Sequence, residues 1–387
     1  MFFSLDAPIK DYAWGSPGAI SRFRGSGSSN KPEAEQWFGN HPESRTVIGL
    51  ETGPSDFSSW LGETETRLPL LVKLLAADQP LSIQAHPGAW QAEEGFAAEK
   101  TRGVPDELRT YRDASAKPEL LIALSAQFQA LVGFVEEAEI RRRLAVWQHA
   151  GLDALTYDVL STKLAGPIDE AVSWALENGP EVRQCLSALQ QWVPTVNVAR
   201  GNVVDDRPEL ELVKELWAFH PHDAGVLLSL LMHHVVLKRG EAVFVDAGIV
   251  HAYLQGFGLE VMLPSDNVVR AGLTVKKRDT TEFLAIADLT RQSLPPVVKA
   301  ESSDDGQRYE GFPASFSVTQ VTEDGQLPLG QQPAIVLVES GSGALSGELS
   351  ARAVSSGDVL FVTADEGKLL TTGLDSVWVV HPTAHLN

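Results

Sequence analysis

Gly240-Glu241-Ala242-Val243-Phe244-Val245-Asp246-Ala247-Gly248, continuing into Ile249-Val250-His251-Ala252-Tyr253, is the stretch on which the fold turns. A short apolar run between a Gly-acidic turn and a second glycine turn reads as one strand. The histidine at the start of the next strand then aims an imidazole into the mouth of a barrel. Gly357-Asp358-Val359-Leu360-Phe361-Val362-Thr363-Ala364-Asp365 repeats the pattern, with Lys368 where the first copy has His251. The repeat predicts two related β units, of which only the first has kept its histidine.

Upstream, Leu68–Ala76 and Leu81–His86 are apolar runs separated by Asp78-Gln79-Pro80, and Pro118–Leu124 and Phe128–Val135 form a second pair of strands. Trp90–Lys100 between the pairs reads as a helix. The apolar period then changes. Ile140, Leu144 and Trp147, then Ile168, Val172 and Leu176, then Val182, Leu186, Leu189 and Val193, then Leu210, Val213 and Trp217 each make one helical stripe. This places a helical block at 136–236. After the polar run Glu301–Gln307, strands near Ala334–Glu339 and Asp358–Val362 among frequent Gly and Ser turns predict a β sandwich or barrel.

The chain has 387 residues, with 51 Asp and Glu against 31 Lys and Arg, a formal charge of −20. That balance argues against nucleic acid, whose affinity is built from clustered cations. An anionic ligand needs a pocket with its own local cations. Cys185 is the only cysteine, which excludes an intrachain disulfide and a Cys-based zinc cluster. Met1–Asp6 lacks the basic and apolar regions of a secretory signal, and Val226–Val236 spans about half of what a bilayer needs. A cytoplasmic protein with no membrane partner is expected, and a monomer.

Gln84 and His86 in Ser82-Ile83-Gln84-Ala85-His86-Pro87 share a face if the segment is a strand, as do Lys117 and Glu119 in Lys117-Pro118-Glu119-Leu120-Leu121-Ile122. Taken singly, these are a hydrogen-bonded pair at a strand end and a solvated salt bridge. Together with His251 they supply an amide oxygen, two imidazoles and a carboxylate, a set that suits a borderline divalent cation. His220 and His222, which flank Pro221, and His233-His234, adjacent on an expected helix, read as structural or solvated. His41, His149, His381 and His385 have no companion ligands nearby in sequence.

Gln84-Ala85-His86-Pro87, Lys117-Pro118-Glu119 and His251-Ala252-Tyr253, continuing through Glu260 to Ser265-Asp266-Asn267-Val268-Val269-Arg270-Ala271-Gly272, resemble type I mannose-6-phosphate isomerases. Tyr12-Ala13-Trp14-Gly15 and Ala34-Glu35-Gln36-Trp37-Phe38-Gly39-Asn40-His41-Pro42 extend the resemblance to the start of the chain. It implies a mainly β fold with an α insertion. A cupin (jelly-roll) catalytic domain would occupy 1–135 and 237–290, an inserted helical domain 136–236, and a C-terminal cupin-like β domain 291–387. It implies one Zn²⁺ per chain on Gln84, His86, Glu119 and His251. It places Lys73, Lys117, Tyr253, Glu260, Asp266 and Arg270 in the active site, and Arg270, Lys117 and Lys276 on the substrate. Thr274-Val275-Lys276 departs from the family, which usually has Pro between Thr and Lys, so Lys276 follows an altered turn.

The implied reaction is the interconversion of mannose 6-phosphate and fructose 6-phosphate by proton transfer between C1 and C2 through a cis-enediol(ate). It needs a base, an electrophile for the oxyanion and a cation for the phosphate. Glu260 and Asp266 both qualify as base. Lys73 and Lys117 qualify only with depressed pKa values. A non-haem iron oxygenase also uses two His and a carboxylate, but leaves Gln84 without a role. A non-catalytic sugar-binding cupin would show no turnover.

Overall fold

The computed structural model describes residues 1–27, 29–196, 208–310, 312–313 and 315–383, so His385 lies outside the described residues. The four early strands form as Leu71–Ala77, Ile83–Ala85, Glu119–Ala123 and Gln127–Val135, with the helix Ala89–Thr101 between the pairs. One sheet runs in the order Val297–Lys299, Glu241–Val245, Glu119–Ala123, His251–Met262, Leu71–Ala77, Glu35–Gly39, Ile9–Lys10.

Both faces of its central strands are buried, which is why they read as unbroken apolar runs. Val72, Leu74, Leu120, Ile122, Leu259 and Val261 pack in one cluster with Ile335, Leu337, Phe361 and Trp378 of the C-terminal part. The alternate residues Leu75, Leu121 and Ala123 pack on the other face with Phe128, Val132, Val243 and Tyr253. Period two therefore sets Lys73 and Glu119 on that second face, inside the barrel.

His251–Met262 links the two halves of the barrel. His251 pairs with Gln84 and Val132, while Gly258 to Met262 pair with the Leu71–Ala77 and Glu119–Ala123 strands. The register shifts between Tyr253 and Gln255, next to Gly256, whose φ is 140°. A Cβ there would stand 2.6 Å from the Phe128 ring, so the corner demands glycine.

The helical block forms as Glu137–His149, Ala154–Leu164, Ile168–Glu177, Pro180–Trp192, Pro208–Phe219 and Gly225–Leu231. Its stripes bury against Ile83, Ala85, Leu131, Ala252 and Val269, covering the outer face of the barrel half that carries His251. The block ends five residues earlier than expected, because Met232–Lys238 is a strand paired with Gln127–Val135. His233 and His234 therefore lie on a strand, not a helix. His233 bonds the Gln292 carbonyl at 3.0 Å and His234 the Gln129 side chain at 3.0 Å, so both are structural, as expected.

The second sheet is ordered Glu301–Ser303, Gly306–Tyr309, Phe316–Thr322, Lys368–Pro382, Ala334–Ser346, Val359–Val362, Phe2–Asp6, Val47–Leu50, Gly53–Asp56. Strand pairing thus cuts across the expected segment boundaries. Phe2–Asp6 pairs with Val359–Val362, whereas Arg291–Gln292 and Val297–Lys299 pair back into the His251 barrel. The repeat keeps its register in space. Gly240 and Gly357 have φ of 81° and 90°, and His251 and Lys368 each open the long strand that follows.

Candidate active site

Two cross-strand rows assemble the polar residues. Gln84 lies directly opposite His251 on one side and Arg270 on the other. Lys73 lies directly opposite Glu260 on one side and Trp37 on the other. Directly opposed residues share a face and touch, whatever their separation in sequence. Glu119 connects the rows: its carboxylate is 3.3 Å from His86 Nε2, 3.6 Å from His251 Nε2 and 3.1 Å from Lys117 Nζ. The Tyr253 hydroxyl donates to the same carboxylate at 3.3 Å.

The histidine tautomers decide what this cluster can hold. His86 Nδ1 lies 2.7 Å from the Asn267 carbonyl and His251 Nδ1 lies 3.0 Å from the Ile249 carbonyl. A carbonyl only accepts, so both protons sit on Nδ1 and both Nε2 atoms carry bare lone pairs. Those lone pairs face an ionised carboxylate, and all three side chains are at most 2% exposed. His86 Nε2 has no donor to satisfy it. Electron pairs converging on an anion in a dry site repel, unless a cation lies between them. The three ligand atoms fall within 4.8 Å of one another. Gln84 joins them with its amide nitrogen 3.3 Å from His251 Nε2, while its oxygen accepts from Ser82 Oγ at 3.2 Å. A half-turn of the amide exchanges the two ends. The donor set fits a divalent cation of the zinc type.

The second row holds a buried ion pair. Lys73 Nζ is 2.8 Å from Glu260 and 4.0 Å from Glu35. Burial by itself would lower the Lys73 pKa, but Glu260 and Glu35 outweigh it and raise it. The ion pair thus favours the ammonium form of Lys73, the opposite of the depressed amine that proton transfer from a lysine would need. Burial, then the charge of Glu119, pushes Glu260 up, with Lys73 pulling the other way. Burial, then Glu119 and Glu260, also raises Tyr253 well above its ordinary value, so its hydroxyl keeps its proton.

Arg270 makes no hydrogen bond or ion pair among the described residues. Burial, then the charge of Arg112, lowers its pKa. Lys276 is lowered by burial, then by Arg270, and its ammonium lies 5.9 Å from the Tyr12 ring. Three cations thus gather beside the ligand cluster with no carboxylate bonded to Arg270. That is the local excess of positive charge an acidic protein needs for an anionic ligand.

Two groups escape a reading of the sequence. His41 lies 3.3 Å from Asp266, although no companion stands near it in sequence. Its Nδ1 accepts from the Glu43 N–H at 3.1 Å, so Nε2 carries the proton that Asp266 receives. Burial would raise Asp266, but the bond and charge of His41 overcome this and lower it. The second group is a clasp around Asp113. Its carboxylate accepts from Ser265 Oγ at 2.9 Å and the Asp266 N–H at 2.8 Å, and its carbonyl accepts from Asn267 Nδ2 at 2.8 Å. The clasp fixes the Asn267 carbonyl that orients His86. Asp113→Ala is expected to weaken divalent metal binding about 10- to 100-fold, as loss of an outer hydrogen-bond shell does. Chelator competition on the two proteins measures it; unchanged affinity would leave His86 oriented by packing alone.

Residues 2–136 match the description "Phosphomannose isomerase type I, catalytic domain". The chain is 33% identical to the mannose-6-phosphate isomerase of Escherichia coli (strain K12), over 94% of this chain and 95% of that one. It is 30% identical to the mannose-6-phosphate isomerase of Rattus norvegicus, over 95% of each. A crystal structure of mannose 6-phosphate isomerase bound with zinc and yttrium superposes with a TM-score of 0.85, at 27% identity and 99% coverage of both chains. With sequence and cupin-type architecture agreeing from end to end, the chain belongs to the type I phosphomannose isomerases.

Proposed function

We propose that this chain interconverts mannose 6-phosphate and fructose 6-phosphate, with one Zn²⁺ held by Gln84, His86, Glu119 and His251. The observation that carries it is the pair of bare imidazole lone pairs aimed at Glu119 beside an unneutralised Arg270. Bound there, Zn²⁺ supplies a Lewis acid that polarises a sugar oxygen. Everything else falls to the chain. Lys117 and Tyr253 hold the Glu119 carboxylate in place by donating to it.

Glu260 is the base that carries a proton between C1 and C2. Its raised pKa is nearer the working range than that of Asp266, which His41 keeps low. Lys73 holds Glu260 in position and balances its charge. Arg270 meets the negative charge that builds on the sugar oxygen as the cis-enediolate forms, and Arg112 and Lys276 extend the cationic patch toward the phosphate. With a cupin interrupted by a helical block and followed by a second, metal-free β unit, all of this chemistry belongs to the first unit. A coupled assay on mannose 6-phosphate, before and after chelation, tests the whole reading. Turnover that survives complete chelation, or no turnover by metal-loaded protein, would sink it.

Arg270→Lys separates transition-state stabilisation from phosphate binding. A lysine keeps the charge and loses the planar fork. Charge on the sugar oxygen appears only as the enediolate forms, so kcat should fall by about 10²-fold, about 2.7 kcal/mol, with KM changing much less. A large rise in KM at near wild-type kcat would make Arg270 a uniform phosphate binder instead.

A further inference from the structure

Glu35 and Trp37 occupy alternate positions of the strand Glu35–Gly39, so their side chains share a face, and Trp37 lies directly opposite Lys73. The Glu35 side chain is only 10% exposed. No hydrogen bond to its carboxylate exists among the described residues. The nearest cation, Lys73 Nζ, is 4.0 Å away and already 2.8 Å from Glu260. The Trp37 indole N–H is also buried and has no partner.

A buried acceptor and a buried donor left open on one face are both costly in isolation. A hydroxyl, which donates and accepts at once, complements both. The charge of Glu35 is felt by Tyr12, Lys73, Glu260 and Lys276, so it acts on both the ion pair and the cationic rim. Charge balance for Lys73 would explain the carboxylate alone and would leave the indole N–H idle.

We propose that Glu35 and Trp37 read the hydroxyls of the bound sugar that lie beyond the reacting carbons. Glu35 accepts from the vicinal pair at C3 and C4, and Trp37 donates to one of their oxygens. This makes them substrate-specificity residues, and it rests on the isomerase reading above.

The test is kcat/KM of the zinc-loaded enzyme on mannose 6-phosphate and on its 3-deoxy and 4-deoxy analogues, for wild type, Glu35→Gln and Trp37→Phe. Removing a hydroxyl that bonds a carboxylate should cost the wild type about 10- to 100-fold on at least one analogue. Glu35→Gln should lose a similar factor on the intact sugar, and its further loss on that analogue should shrink to about 3-fold or less. Trp37→Phe keeps an aromatic ring and removes only the donor edge, so it carries the test if Glu35→Gln does not fold. Equal losses on the analogues in wild type and variants, with only the pH profile of Glu35→Gln displaced, would overturn the proposal and leave Glu35 as the partner of Lys73. A wild type with no turnover on mannose 6-phosphate would overturn the isomerase reading and this one with it; turnover without coupling overturns this one alone.

Discussion

His251→Ala is expected to purify without the one zinc per chain that the wild type should hold, and to lose roughly 10³-fold or more of kcat. The imidazole is fully buried, and its Nε2 is one of two nitrogen lone pairs aimed at Glu119. Removing it takes away one of the four donors and leaves Gln84 without the imidazole that lies directly opposite it. The remaining three, Gln84, His86 and Glu119, with a single imidazole among them, are an incomplete shell for a cation that takes four ligands. A Lewis acid at the reacting oxygen contributes several kcal/mol, which sets the size of the kinetic loss. His234→Ala is the control. It too removes a histidine, partly buried two strands away and bonded to Gln129, and it should keep both zinc and turnover. Elemental analysis with the coupled assay decides the matter; full occupancy in His251→Ala would take that residue out of the site.

The parts of this site that sequence could show are those that lie within one strand. Gln84 with His86, and Lys117 with Glu119, share faces by period two, and a histidine opening the strand after Gly248 points into a barrel mouth. The rows His251–Gln84–Arg270 and Trp37–Lys73–Glu260 are products of strand pairing across separations of up to nearly two hundred residues, and no spacing rule encodes them. His41 is silent in sequence for the same reason, since its partner Asp266 is distant in the chain. Arg112 reads as one more charge in a polar loop until it is found beside Arg270. The helix expected to continue through Val236 stops at Leu231, because an unbroken apolar run does not distinguish a buried helix from a buried strand. Val226 to Leu231 is helical, while Val235 and Leu237 bury their side chains from a strand. The split of Phe2–Asp6 into the C-terminal sheet had no local signal either, because either sheet satisfies its apolar residues.

Glu260→Gln is expected to lower kcat about 10²- to 10⁴-fold, the range that general base catalysis supplies, with KM little changed. The amide is nearly isosteric and still offers an oxygen to Lys73, so the position of the ammonium is kept while the basic lone pair is lost. Lys73 retains Glu35 at 4.0 Å as its remaining counter-charge, which limits the structural damage. The sign of the pH dependence follows from the environment. Burial, and then Glu119, raises the Glu260 carboxyl, so its proton comes off at a higher pH than the value of about 4.3 usual for glutamate. Only the deprotonated form takes a proton from carbon. Wild-type kcat should therefore fall as the pH drops through that raised value, at a pH where a solvated carboxylate would still be ionised. The residual activity of Glu260→Gln should lack this acid limb. Asp266 is the competing base, and its environment argues the other way: the His41 proton 3.3 Å away stabilises its ionised form and makes it a weaker acceptor. The two carboxylates are told apart by comparing Glu260→Gln with Asp266→Asn on mannose 6-phosphate deuterated at C2. If Asp266→Asn abolished turnover while Glu260→Gln kept near wild-type kcat and its acid limb, the proton would pass through Asp266, and Glu260 would serve only to hold Lys73.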